Sequence, residues 1–123
     1  MNFEEKYLYG KYTAREEKAW QIRTCMDIMY GSGRFEVALE LILQKEGYGY
    51  DYTYCSFPDW ESCDKDEHFY GVAFETGHCE EDSLAIFSED ECYHYLKEAA
   101  RIYVKKRPER KKNIDALFEK YSW

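Results

Sequence analysis

Tyr48-Gly49-Tyr50-Asp51-Tyr52-Thr53-Tyr54-Cys55 sets a tyrosine at every second position, with Asp51, Thr53 and Cys55 between them. Successive side chains of a strand alternate between its faces, so a period of two in β-favouring residues predicts a strand. Pro58 ends this run. A second strand is predicted from about His68 to Glu75, holding Phe69, Tyr70, Val72, Ala73 and Phe74, and a third from Ser83 to Phe87. Thr76-Gly77-His78-Cys79-Glu80-Glu81 reads as the turn between those two. Strands this close in sequence pair most simply as an antiparallel meander.

On either side of the strands the apolar spacing is helical. Thr13-Ala14-Arg15-Glu16 fits a capping box, after which Ala19, Ile22, Met26 and Met29 recur at helical intervals with Cys25 beside them. Gly31-Ser32-Gly33 stops that helix. The run from Phe35 to Leu43 fits a helical stripe and a strand alternation alike. Ser32 as a start, the good helix formers and Gly47 as a stop favour the helix. Downstream, Ser88-Glu89-Asp90-Glu91 is a second capping box, opening a helix with Cys92, Tyr95, Leu96, Ala99, Ile102 and Tyr103 on one face. Lys105, Lys106 and Arg107 complement its C-terminal dipole, and Pro108 ends it. Ile114, Leu117, Phe118 and Tyr121 mark a short last helix. The predicted class is α+β: two N-terminal helices, a three-stranded antiparallel meander, and two C-terminal helices packed on the sheet, as a single domain over residues 1–123.

The charge is unevenly spread. The formal net charge is −8, but residues 59–91 carry twelve acids against the single base Lys65, whereas residues 92–123 carry nine bases and four acids. Clustered like charge opposes compaction, so folding alone does not call for this arrangement, and the basic tail is placed to offset part of it. Phosphate backbones would be repelled by such a face, which argues against direct nucleic-acid binding. No apolar run approaches the roughly 18 residues that cross a bilayer, and Met1-Asn2-Phe3-Glu4-Glu5-Lys6 has no signal-peptide layout. The expectation is a cytoplasmic protein without membrane contact. The sequence leaves its oligomeric state open.

Five cysteines without an export signal read as reduced thiols. Cys63, His68, His78, Cys79 and His94 offer donor atoms, but their spacing matches no standard zinc site, and no cofactor is predicted. No nucleophile elbow, phosphate loop or His-Glu-x-x-His is present, and no catalytic residues are assigned. A small metal-dependent regulator or enzyme built on the Cys/His set is the alternative reading.

The acidic segment admits three readings. It is a solvated surface, a cation site (though its spacing departs from an EF-hand loop), or a docking face for a basic protein. Aromatic Trp60, Phe69 and Tyr70 interleave with the acids and supply contact area that a merely solubilising run does not need. Glu89, Asp90 and Glu91 already serve the helix start. The partner-binding candidates are therefore Asp59, Trp60, Glu61, Asp64, Asp66 and Glu67 before the second strand, and Glu80, Glu81 and Asp82 after it.

Three stretches carry a family resemblance: Tyr30 to Glu40 (Tyr-Gly-Ser-Gly-Arg-Phe-Glu-Val-Ala-Leu-Glu) running on through Gly47-Tyr48-Gly49-Tyr50-Asp51, then Tyr54-Cys55-Ser56-Phe57-Pro58-Asp59, and Ser88 to Lys97 leading to Tyr103 and Pro108. From about residue 14 to the C-terminus the chain resembles the CdiI-type immunity proteins of bacterial contact-dependent growth inhibition that protect against ribonuclease toxins. The resemblance implies a protein without enzymatic activity. Its partner would be a cognate basic toxin domain, the C-terminal part of a large exported effector, bound in the cytoplasm over its active or RNA-binding surface. The resemblance fixes no contact residues, so the candidate list rests on charge and aromatic content.

Overall fold

The computed structural model describes residues 7–10, 19–50, 52–77 and 83–123. The elements run α1 (Trp20–Gly31), α2 (Phe35–Leu43), β1 (Tyr48–Tyr50), β2 (Thr53–Ser56), β3 (Val72–Thr76), β4 (Leu84–Phe87), α3 (Glu89–Lys106) and α4 (Lys111–Lys120). The class and the order of elements follow the prediction: α+β, two helices, an antiparallel sheet, two helices.

The sheet has four strands, in the order β1-β2-β3-β4, where three were predicted. The tyrosine run is a hairpin rather than one strand. Tyr50 pairs with Thr53, so the chain reverses between them, and Tyr52 sits in the left-handed region at φ 61. The period of two survives on both arms of a two-residue hairpin, which is why alternation alone reads straight through the reversal. The second predicted strand begins at Val72 rather than near His68, because residues 65–67 form a 3-10 turn and Gly71 takes φ 110.

The helix boundaries shift for local reasons. The Thr13–Glu16 box lies outside the described residues. Ala19, expected in the helical stripe, precedes α1 with a left-handed φ of 58, although it is buried. Ser32 closes α1 instead of opening α2: its hydroxyl donates to the Ile28 carbonyl at 2.8 Å. The turn out of α2 falls at Lys45 (φ 61), two residues before Gly47. The second capping box forms as read. The Glu91 amide donates to Ser88 Oγ at 3.0 Å and the Ser88 amide to Glu91 Oε1 at 3.1 Å, satisfying two N–H groups that a helix start leaves orphaned.

The four described helices build one layer against one face of the sheet. Helix α1 rests on β2 and β3, α3 packs on α1, and α4 touches α2 and α3. Ile22, Met26 and Met29 from α1, Leu39 and Ile42 from α2, and Cys92, Leu96 and Ala99 from α3 close over Val72 and Phe74 as one apolar core. Strand register fixes which residues face it: Cys55 opposes Phe74, and Phe74 opposes Ala85. The helical layer is clasped at its rim by Glu36, which accepts Arg110 Nε at 2.7 Å, Arg110 Nη2 at 2.8 Å and the Tyr103 hydroxyl at 2.7 Å. Arg110 therefore holds the Glu36 carboxyl below the usual carboxylate range, with the Tyr103 bond acting in the same direction.

Candidate interaction surface

Residues 59–67 connect β2 to β3 as a loop closed by its own backbone. The Asp59 amide donates to the Glu67 carbonyl at 2.9 Å, pinning the two ends together. Inside it, Asp59 Oδ1 accepts the Glu61 amide at 3.1 Å and Asp64 Oδ1 accepts the Asp66 amide at 2.9 Å, the usual way short acidic side chains stabilise turns. Ser62 Oγ bonds the Glu67 carboxylate, and His68 Nε2 meets the Ser62 carbonyl at 2.8 Å. These bonds hold the backbone while leaving Asp59, Glu61, Asp64, Asp66 and Glu67 exposed. Among the described residues no cation pairs with any of the five. The described ion pairs lie elsewhere: Arg110 with Glu36, Lys111 with Asp115, Arg23 with Glu98 and Lys45 with Glu89. The loop's negative charge is thus offered to solvent.

Trp60 is held at the loop's base. Its ring stacks on His68 (centroids 5.3 Å, planes 22° apart) and leans on Tyr70 at 5.0 Å, yet half of its surface is exposed. A large aromatic fixed before binding loses little conformational entropy when a partner covers it. Six of the nine predicted contact residues therefore share one described loop. Glu80, Glu81 and Asp82 lie outside the described residues. Gly77 and Ser83, which flank residues 78–82, sit at the end of β3 opposite the loop, as a meander requires.

The Cys/His alternative finds no common centre among the described residues. Cys25, Cys55 and Cys92 are buried in the core, Cys63 is exposed in the loop, His68 is stacked on Trp60, and His94 lies against Tyr95 at 5.1 Å. No three His, Cys, Asp or Glu side chains of the described set converge as metal ligands. Burial pushes the Cys25 and Cys92 thiols up to about 12 and raises Cys55 as well, so these groups stay protonated and unreactive. No described helix is long and apolar enough to cross a membrane.

A family model described as CDI immunity protein matches residues 18–118, most of the chain. The chain belongs to this family. CDI immunity proteins bind the cognate CdiA toxin domain, and they form an immunity-protein family rather than an enzyme family. No curated protein matches the sequence.

One feature of this immunity protein escaped the sequence reading. The outward face of the sheet carries Tyr54, Leu84 and Ile86, which are 44%, 53% and 51% exposed. Six of the seven exposed large apolar side chains among the described residues belong to the sheet or its connections, with Val37 the exception. The signal lay in β4 itself: Leu84-Ala85-Ile86-Phe87 is apolar in both phases. With the described helices on one side, one phase of such a strand faces outward.

Proposed function

We propose that this immunity protein neutralises a ribonuclease toxin in the cytoplasm by docking on the basic surface that the toxin uses to hold RNA, covering that surface or the active site. Its contacts are Asp59, Trp60, Glu61, Asp64, Asp66 and Glu67, joined by Glu80, Glu81 and Asp82. The observation that carries the reading is the closed loop 59–67, with five exposed acids that no described cation neutralises and one pre-stacked tryptophan. A ribonuclease must present cationic groups to phosphate, and an acidic face competes for the same groups. Long-range attraction also speeds encounter, which matters when the toxin's substrate is everywhere in the cell.

The test is association kinetics with the cognate CdiA toxin domain. The double variant Asp64→Lys/Asp66→Lys reverses two charges and is expected to slow association about tenfold at low salt, the gap closing as salt is raised. Trp60→Ala is expected to weaken affinity by a factor of roughly 30, the scale of a fixed aromatic anchor. An association rate that ignores both charge reversal and salt overturns the steering role. A toxin domain that leaves RNA intact overturns the ribonuclease assignment.

A further inference from the structure

The outward face of the sheet is built as a contact surface. Antiparallel sheets with one wet face ordinarily put polar residues there. Register here places Ser56, Ala73 and Ile86 across one row, and Tyr54, Glu75 and Leu84 across the next. Only Ser56 and Glu75 in those two rows are polar. The Tyr54 ring lies over Gly49 of β1, its Cδ1 within 2.7 Å of where a side chain would begin there, so the ring has a fixed seat on the sheet. The Ser56–Ala73–Ile86 row lies at the end of β2 and the start of β3, the end of the sheet joined by the segment that carries the acidic loop, Trp60 and Tyr70, the last 88% exposed.

We infer that this face is the apolar centre of the toxin interface, with Tyr54, Leu84 and Ile86 seated against an apolar patch of the toxin whose cationic rim meets Glu75 and the loop acids. The inference rests on the toxin-binding reading above. Charge decides the occupant. The apolar rows are bordered by exposed acids that no described base neutralises, so their partner is cationic around an apolar centre. A second copy of this chain fits poorly. A two-fold contact through the same face would bring two copies of one acidic surface, Glu75 and the loop acids among them, against each other. The two parts of the surface then divide the work: exposed rim charges govern the association rate, and the desolvated apolar centre governs the dissociation rate.

The experiment uses the full chain and the purified, inactivated cognate CdiA toxin domain. Leu84→Thr/Ile86→Thr keeps β-favouring side chains at both outward positions. It is expected to raise the dissociation rate on the order of a hundredfold while changing association less than about twofold, with the melting temperature and sedimentation mass of the free protein unchanged. Hydroxyl-radical footprinting of the wild-type complex is expected to protect Tyr54, Leu84 and Ile86, a readout that needs no variant to fold. An unchanged dissociation rate, or no protection of the three side chains, overturns the inference. So does a wild-type dimer that this double variant dissolves, which would make a second copy the occupant. Failure here, with Asp64→Lys/Asp66→Lys still slowing association, leaves the toxin-binding reading intact. A wild-type chain that does not bind the toxin domain removes both.

Discussion

Gly71 controls how closely β4 approaches β3, and replacing it with alanine gives a sharp test of the sheet that carries the proposed contact surface. Gly71 holds φ 110, outside the left-handed well that asparagine or aspartate tolerate, and immediately precedes the Val72–Phe87 pair. An added Cβ would lie 2.2 Å from the Phe87 carbonyl oxygen and 3.4 Å from Ile86 Cγ2. A carbon and an oxygen rest at about 3.3 Å or more, so β4 would have to move by about 1 Å. The backbone conformation alone costs an alanine about 1–3 kcal/mol. Loosening one or two β3–β4 hydrogen bonds adds about 1 kcal/mol each. Gly71→Ala is therefore expected to lose about 2–5 kcal/mol, a large share of the 5–15 kcal/mol typical of a domain. Gly33→Ala is the matched control. Its φ is 75 and nothing lies within 4 Å of the new Cβ, so only the left-handed cost of about 1–2 kcal/mol applies. The entropy that alanine removes from the unfolded chain is common to both and cancels in the comparison. Urea unfolding of the two variants, compared at equal m-value, gives the difference directly. If the two midpoints imply losses within about 0.5 kcal/mol of each other, the close approach of β4 is not as described.

Two further outcomes are expected. Among the four described cysteines, only exposed Cys63 should be alkylated in the folded protein at neutral pH, since burial keeps Cys25, Cys55 and Cys92 protonated; peptide mapping by mass spectrometry reads this, and rapid labelling of Cys25 without unfolding would contradict the core packing. The Glu36–Arg110 clasp should make stability acid-sensitive. Because Glu36 titrates lower in the folded protein than in the unfolded chain, its contribution is whole above the ordinary carboxylate value of about 4.3 and is lost as pH falls through its lower folded value. The stability gap between wild type and Glu36→Gln should accordingly narrow below about pH 4, and a gap that widens there would mean that Arg110 is not the cause.

Local signals carried much of the fold. The second capping box and the stripe from Cys92 to Ala99 specify α3 because the bonds and the buried face both lie within a few residues of one another. The hairpin between Tyr50 and Thr53 was not legible, since no Asn-Gly or Asp-Gly marks it and Tyr52 adopts its positive φ without glycine. Of the candidate surface, the acidic loop could be read from charge and aromatic content. Tyr54, Leu84 and Ile86 could not, because whether an apolar residue is core or contact depends on what covers it.

By itself, the sequence determined the order of the helices, the presence of an antiparallel sheet and the concentration of net negative charge in the middle of the chain. Those properties follow from residue periodicity and composition, which are local. Tertiary structure decided which phase of each strand is buried, that the basic C-terminal residues pair with Glu36 and Asp115 instead of the loop acids, and that the loop shares its end of the sheet with Trp60, Tyr70 and an uncovered apolar face. Each of these depends on placing the four described helices on one side of the sheet, a long-range choice that no stretch of sequence states.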